Sequence, residues 1–163
     1  MQLREDADLR IAGKFMSFVH ELRRLRAEHA DILRLARALL GLLGAPTAPP
    51  SAVIEPIREQ LRGTLRRHLK CEDWALYPRL RATGEAAAAD LAREFAGTMG
   101  HVADDCDDYE RRWPPPRVAA QWDQFCVEST AILGAITARI EREDRELYPV
   151  LDQLAGAALP ASR

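Results

Sequence analysis

Residues 51–81 read SAVIEPIREQLRGTLRRHLKCEDWALYPRLR. Within this stretch Ile54, Ile57, Leu61, Leu65, Leu69 and Leu76 recur at intervals of three, four or seven, which places them on one side of a helix. His68 and Glu72 stand four residues apart, on one helix face, and continue the stripe of Leu61 and Leu65. An imidazole and a carboxylate therefore point inward together with the leucines. Polar groups turned into a core need partners, and a divalent metal ion serves both at once.

The same period extends outward from this stretch. From about Asp8 to Leu43 the apolar positions are Leu22, Leu25, Ile32, Leu33, Ala36, Leu39 and Leu40, with Gly13 breaking off a short first piece and Gly41 and Gly44 marking the end. Ser51 is the expected N-cap of the next helix. A third segment, about Gly84 to Trp113, carries Leu91, Phe95, Val102, Cys106, Tyr109 and Trp113, and Pro114, Pro115 and Pro116 stop it. A fourth, about Arg117 to Leu154, carries Val118, Trp122, Phe125, Ile132, Ile136, Ile140, Leu147 and Leu151. No segment alternates with period two and no Asn-Gly or Asp-Gly turn occurs, so strands are not expected. The expected fold is all-α, an up-down-up-down antiparallel four-helix bundle forming one domain over residues 1–163, with its core at about 18–155. A short internal repeat agrees: Glu72-Asp73 precedes Leu76-Tyr77-Pro78 as Glu143-Asp144 precedes Leu147-Tyr148-Pro149.

Composition narrows the function classes. The chain has 163 residues, 47% hydrophobic and 29% charged, with net charge −2 and its basic residues spread along its length. Nucleic-acid binding is not expected from such a balance. The opening Met-Gln-Leu-Arg-Glu-Asp-Ala-Asp is too charged for a signal peptide, and the longest apolar run, Leu35 to Leu43, is interrupted by Arg37. No membrane association is expected. Cys71, Cys106 and Cys126 lie far apart and read as free thiols in a reducing cytoplasm.

Further inward polar residues extend the first pair. His29 follows Leu22 and Leu25 and precedes Ile32 and Leu33, so it falls at a depth comparable to His68. Glu143 continues the stripe of Phe125, Ser129, Ile132, Ile136 and Arg139, with Asp144 as the alternative inward acid. His101 flanks the third stripe, and Asp105 follows one turn later. That pair offers further ligands, or else belongs to a solvated acidic face with Asp104, Asp107 and Asp108. His20 is expected on the surface. Imidazoles and carboxylates without clustered thiols favour iron, manganese or zinc. His29, His68 and Glu72 alone make a two-histidine, one-carboxylate set of the kind that holds non-haem iron(II), and Glu143 is placed to bridge to a second ion.

With these residues in view, the chain resembles the hemerythrin-like, HHE cation-binding family over about Phe18 to Leu151. The resemblance rests on Glu28-His29, on His68 and Glu72 followed by Leu76-Tyr77-Pro78, on His101, and on Glu143-Asp144 before Leu147-Tyr148-Pro149. It implies a four-helix bundle around an oxo- or hydroxo-bridged non-haem di-iron centre. Roles in the family include oxygen binding, sensing of oxygen, iron or redox state, iron storage, and responses to nitric oxide or peroxide. Carried over by position, His29 and His68 bind one iron, Glu72 and Glu143 bridge, and His101 binds the other iron. The chain departs from the pattern at Arg139, where a histidine is expected, and at Gly97, where some members have another. An arginine does not ligate, and an inward Arg139 is expected to pair with Glu72, Glu143 or Asp105.

Three readings of the centre follow: two irons with unusual ligands, one metal ion, or no metal and an Arg139 salt-bridge network. Three function classes accompany them. The first is a module that binds or senses dioxygen or a related small ligand, or iron status. The second is an iron-dependent oxidase or peroxide-decomposing enzyme. The third is a metal-poor bundle acting through its surface, for instance as a homodimer.

Overall fold

The computed structural model describes the backbone of residues 2–99 and 101–157 and the side chains of residues 17–98 and 101–156. The chain is all-helical, with no strand among the described residues. The helices are α1 (Gln2–Leu43), α2 (Ser51–Cys71), α3 (Tyr77–Arg81), α4 (Ala86–Met99), α5 (His101–Arg112), α6 (Pro115–Ala120), α7 (Trp122–Arg142) and α8 (Tyr148–Ala157). α1 packs along α2, α7 and α8, α3 packs on α4, and α5 packs on α2 and α7.

Several boundaries differ from the sequence reading. α1 runs unbroken through Gly13 and ends at Leu43, past Gly41. Ser51 is the first helical residue of α2, and Pro50 stands at the cap. The Pro50 carbonyl accepts the Val53 and Ile54 N–H groups at 2.8 and 3.3 Å, so the serine hydroxyl is not needed there. Pro115 and Pro116 open α6, where a missing N–H costs nothing. The chain leaves helical geometry at Gln121 (φ −131°, ψ 50°). Beside that break the Trp122 indole N–H donates to the Ala45 carbonyl at 2.9 Å, tying the start of α7 to the loop after α1. The turn between α3 and α4 uses Gly84 at φ 80°, a conformation that glycine adopts without a Cβ clash.

The two repeat segments adopt the same local structure. Glu72–Leu76 and Glu143–Leu147 are π-helical turns, in which the Tyr77 N–H bonds to the Glu72 carbonyl and the Tyr148 N–H to the Glu143 carbonyl. A proline follows each tyrosine. Its ring crowds the carbonyl four residues back and it has no N–H to offer, and the wider turn absorbs both effects without breaking the rod.

Two apolar clusters form the core. One gathers Ile32, Leu39, Leu65, Leu69, Phe125, Leu133 and Ile140 among others. The other gathers Leu25, Leu76, Leu80, Phe95, Leu147 and Leu151 among others. The stripes are largely as expected, although Leu40 is 36% exposed and Leu35 takes its place in the core. His29, His68, Glu72, Arg139 and Glu143 are each no more than 3% exposed. His29 falls between Leu25 and Ile32, Glu72 between Leu69 and Leu76, and Glu143 between Ile140 and Leu147, each pair drawn from both clusters. His68 and Arg139 stand one turn before the two glutamates, so a charged layer lies where the clusters meet.

Candidate metal centre

Each side chain in the layer is placed by a helix whose neighbouring turns are locked in apolar packing. His29 lies on α1 between Leu25 and Ile32, both fully buried. His68 lies in the last turn of α2 between the buried Leu65 and Leu69, and Glu72 and Glu143 each open a π turn. The atoms meet closely. His29 Nε2 is 3.0 Å from His68 Nε2 and 3.2 Å from Glu143 Oε2. His68 Nε2 is 3.2 Å from Glu72 Oε1 and 3.9 Å from Glu143 Oε2. One ligand atom from each of the four residues lies within 4.8 Å of every other.

The far sides of both imidazoles are anchored. His29 Nδ1 lies 2.8 Å from Asp144 Oδ1, and His68 Nδ1 lies 3.3 Å from Glu28 Oε2. A carboxylate at Nδ1 holds the proton there and turns the Nε2 lone pair inward, the usual arrangement behind a metal-ligating histidine. Two inward lone pairs 3.0 Å apart repel unless a proton or a cation sits between them. Glu72 Oε1 and Glu143 Oε2 are buried and have no directed hydrogen bond, although each faces a ring nitrogen. Two nitrogens and two orphaned oxygens turned on one point fit a divalent ion of borderline character, such as iron, manganese or zinc.

The charges agree with this reading. Burial acts against a charged His68, but Glu72, Glu143 and Glu28 outweigh it and raise the imidazole to about 11. Burial likewise acts to raise Glu143, and contacts with His29, His68 and Arg139 overcome it and hold the carboxyl below its usual range. The centre thus gathers positive charge wherever it can find it. A metal ion bound there would take the place of the His68 proton.

The model of the hemerythrin HHE cation binding domain matches residues 20–151. The chain belongs to this family. No curated protein and no solved structure matches it significantly. Of the six candidate ligands read from sequence, the hemerythrin-like fold brings together His29, His68, Glu72 and Glu143. It does not bring in His101 and Asp105. Their side chains are 64% and 55% exposed and lie 3.8 Å from each other, on the solvent side of α5. They follow the alternative of a solvated acidic face: Val102, the buried residue of α5, is the next residue along, and that one step turns His101 about 100° away from it. His20 is exposed as expected.

The choice between Glu143 and Asp144 is resolved: Glu143 is fully buried, and Asp144, 48% exposed, reaches back to His29 from the rim. Arg139 points inward. Its Nε donates to Glu143 Oε1 at 2.6 Å and its Nη2 to Glu72 Oε2 at 2.7 Å and to the Tyr77 hydroxyl at 3.2 Å. Burial lowers its affinity for a proton, but the two glutamates outweigh this and fix its charge.

Sequence reasoning missed three contributors: Glu28 and Asp144 as the histidine anchors, and Tyr77 beside Arg139. The only signal for the first two was adjacency, an acid beside His29 and another beside Glu143. Tyr77 was visible as a repeated residue, without a role.

Proposed function

We propose that this hemerythrin-like protein holds non-haem iron at His29, His68, Glu72 and Glu143 inside an up-down-up-down four-helix bundle, and uses it to bind or sense dioxygen or a related small ligand, or iron itself. The observation that carries the reading is the convergence of two anchored imidazoles and two carboxylate oxygens without hydrogen bonds, all buried. Buried charged groups in a small protein are expensive, and perturbed, convergent ones mark functional sites. Iron fits the donor set, and an ion with four protein ligands keeps coordination positions for a small ligand. A cytoplasmic setting accompanies this reading, with all three cysteines free and no helix among the described residues long and apolar enough to cross a membrane.

A second reading is a metal-poor bundle that acts through its surface. It is favoured by one observation, the ion pairs through which Arg139 already compensates Glu72 and Glu143. Elemental analysis of protein purified without added metal or chelator, read with the visible spectrum, separates the two. Bound iron with absorbance that responds to oxidation and reduction supports the first. Protein that stays metal-free even after anaerobic iron loading refutes it and leaves the second.

A further inference from the structure

We infer that Arg139 stands in for a second metal ion, so that the centre holds one divalent cation per chain; this rests on the reading of the cluster as a metal site. Each carboxylate is used at both ends. Glu72 Oε1 and Glu143 Oε2 face the imidazole nitrogens, within 3.2 Å of His68 Nε2 and His29 Nε2 respectively. Glu72 Oε2 and Glu143 Oε1 are held by the guanidinium at 2.7 and 2.6 Å, the short distances of charge-assisted hydrogen bonds. Both glutamates therefore bridge two positions that call for positive charge, and in one of them the charge is covalently part of the chain.

Two independent observations close the outer position to a second ion. The internal repeat puts Arg139 and Glu143 where its first copy has His68 and Glu72, each pair four residues apart and each followed by a π turn. The second half-site thus carries a guanidinium where the first has its imidazole, and a guanidinium neither ligates nor gives up its proton. His101, the remaining nitrogen donor that could serve that side, is 64% exposed and outside the cluster. A second divalent ion would have to share both outer oxygens with a fixed cation, without a nitrogen ligand to offset the repulsion.

The consequence reaches the function. One iron passing from ferrous to ferric gives up one electron, whereas reduction of dioxygen to peroxide takes two. A one-ion centre therefore takes dioxygen to peroxide only if a second electron comes from another donor, whereas sensing a ligand or the metal needs none.

The test is to strip the full chain with chelator, load it with excess cobalt(II), remove unbound metal and measure cobalt per chain. A ratio of one is expected. A ratio of two overturns the inference while leaving the metal site standing; a ratio of zero overturns both. Arg139→His, which replaces the cation by a neutral ligand, should raise the ratio above one. The metal-free variant should melt roughly 10 °C lower, because two buried carboxylates lose their counter-charge, and cobalt should restore it. A ratio that stays at one, or an unchanged melting temperature, counts against the role assigned to Arg139. If that variant does not fold, Arg139→Lys decides: it keeps a cation and should stay at one cobalt, and two would overturn the inference.

Discussion

Replacing Asp144 by alanine separates orientation of a ligand from stability of the fold. Asp144 Oδ1 accepts the Nδ1 proton of His29 at 2.8 Å, and this contact fixes the ring so that Nε2 turns to the centre. Removing such an anchor typically weakens metal binding by about 10- to 100-fold, or about 1.4–2.7 kcal/mol. The side chain is 48% exposed, so water screens its charge and takes over its hydrogen bonds. The cost to the metal-free fold should then stay below about 1 kcal/mol, a fall of at most about 4 °C in melting temperature for a domain of this size. Competition for cobalt(II) against a chromophoric chelator gives the affinity, and thermal unfolding of stripped protein gives the stability. Glu28→Ala is the useful comparison. Its contact to His68 is longer, 3.3 Å, and Glu28 is only 8% exposed, so it should lose less affinity and more stability. Affinity within two-fold of the parent for Asp144→Ala would refute the orienting role, and a fall of 10 °C in the stripped protein would show that Asp144 is structural.

Other substitutions test the placement of the remaining residues. His101→Ala should leave metal content and affinity unchanged, because the ring is 64% exposed and outside the cluster; a ten-fold loss measured by the same competition would place His101 at the centre. His68→Ala should abolish metal binding and, with it, the stabilisation metal gives the parent, about 2.7 kcal/mol at a free metal concentration one hundred times the dissociation constant. That difference is read as the melting temperature with and without chelator, and a variant still stabilised by metal speaks against the site. Arg58→Met should destabilise the fold by about 3–5 kcal/mol without changing metal affinity. Its buried guanidinium holds Glu55, Glu110 and the Trp113 carbonyl, and denaturant unfolding measures the loss.

How much of this was legible beforehand follows from what each residue's neighbours reveal. The helical period of Leu61, Leu65 and Leu69 reports burial directly, and a polar residue in phase with it inherits the same orientation. His68, Glu72, His29 and Glu143 were readable for that reason. His101 was not, because it sits beside its stripe, and one position on a helix is a rotation of about 100°. The segment around Gly97 to Asp108 also mixes alanine, glycine and aspartate, so no strong period fixes its phase. The anchors Glu28 and Asp144 were invisible for another reason. They act across helices, on His68 and His29 respectively, and only packing sets that distance. The π turns were equally silent in the period, although Leu-Tyr-Pro in both copies of the repeat marked where a regular helix has to give way.

The charged layer is easier to understand as a selected feature than as a tolerated one. Leu25 and Ile32 flank His29, and Leu76 and Leu147 follow Glu72 and Glu143, all at or near zero exposure. Leucines at all of these polar positions together would join two apolar clusters that already reach toward each other, and replacing a whole set of buried ion pairs by well-packed apolar residues is often stabilising, whereas removing one partner is not. The fold instead keeps five buried ionisable groups together, supplies an anchor for each imidazole, and supplies one cation for the outer oxygens of both carboxylates. What the chain does not supply is directed hydrogen bonding for Glu72 Oε1 and Glu143 Oε2. The Tyr148 hydroxyl, whose ring packs edge-on against His29, is likewise buried without a partner; stability given up at neighbouring polar atoms in one layer identifies that layer as the place where something else binds.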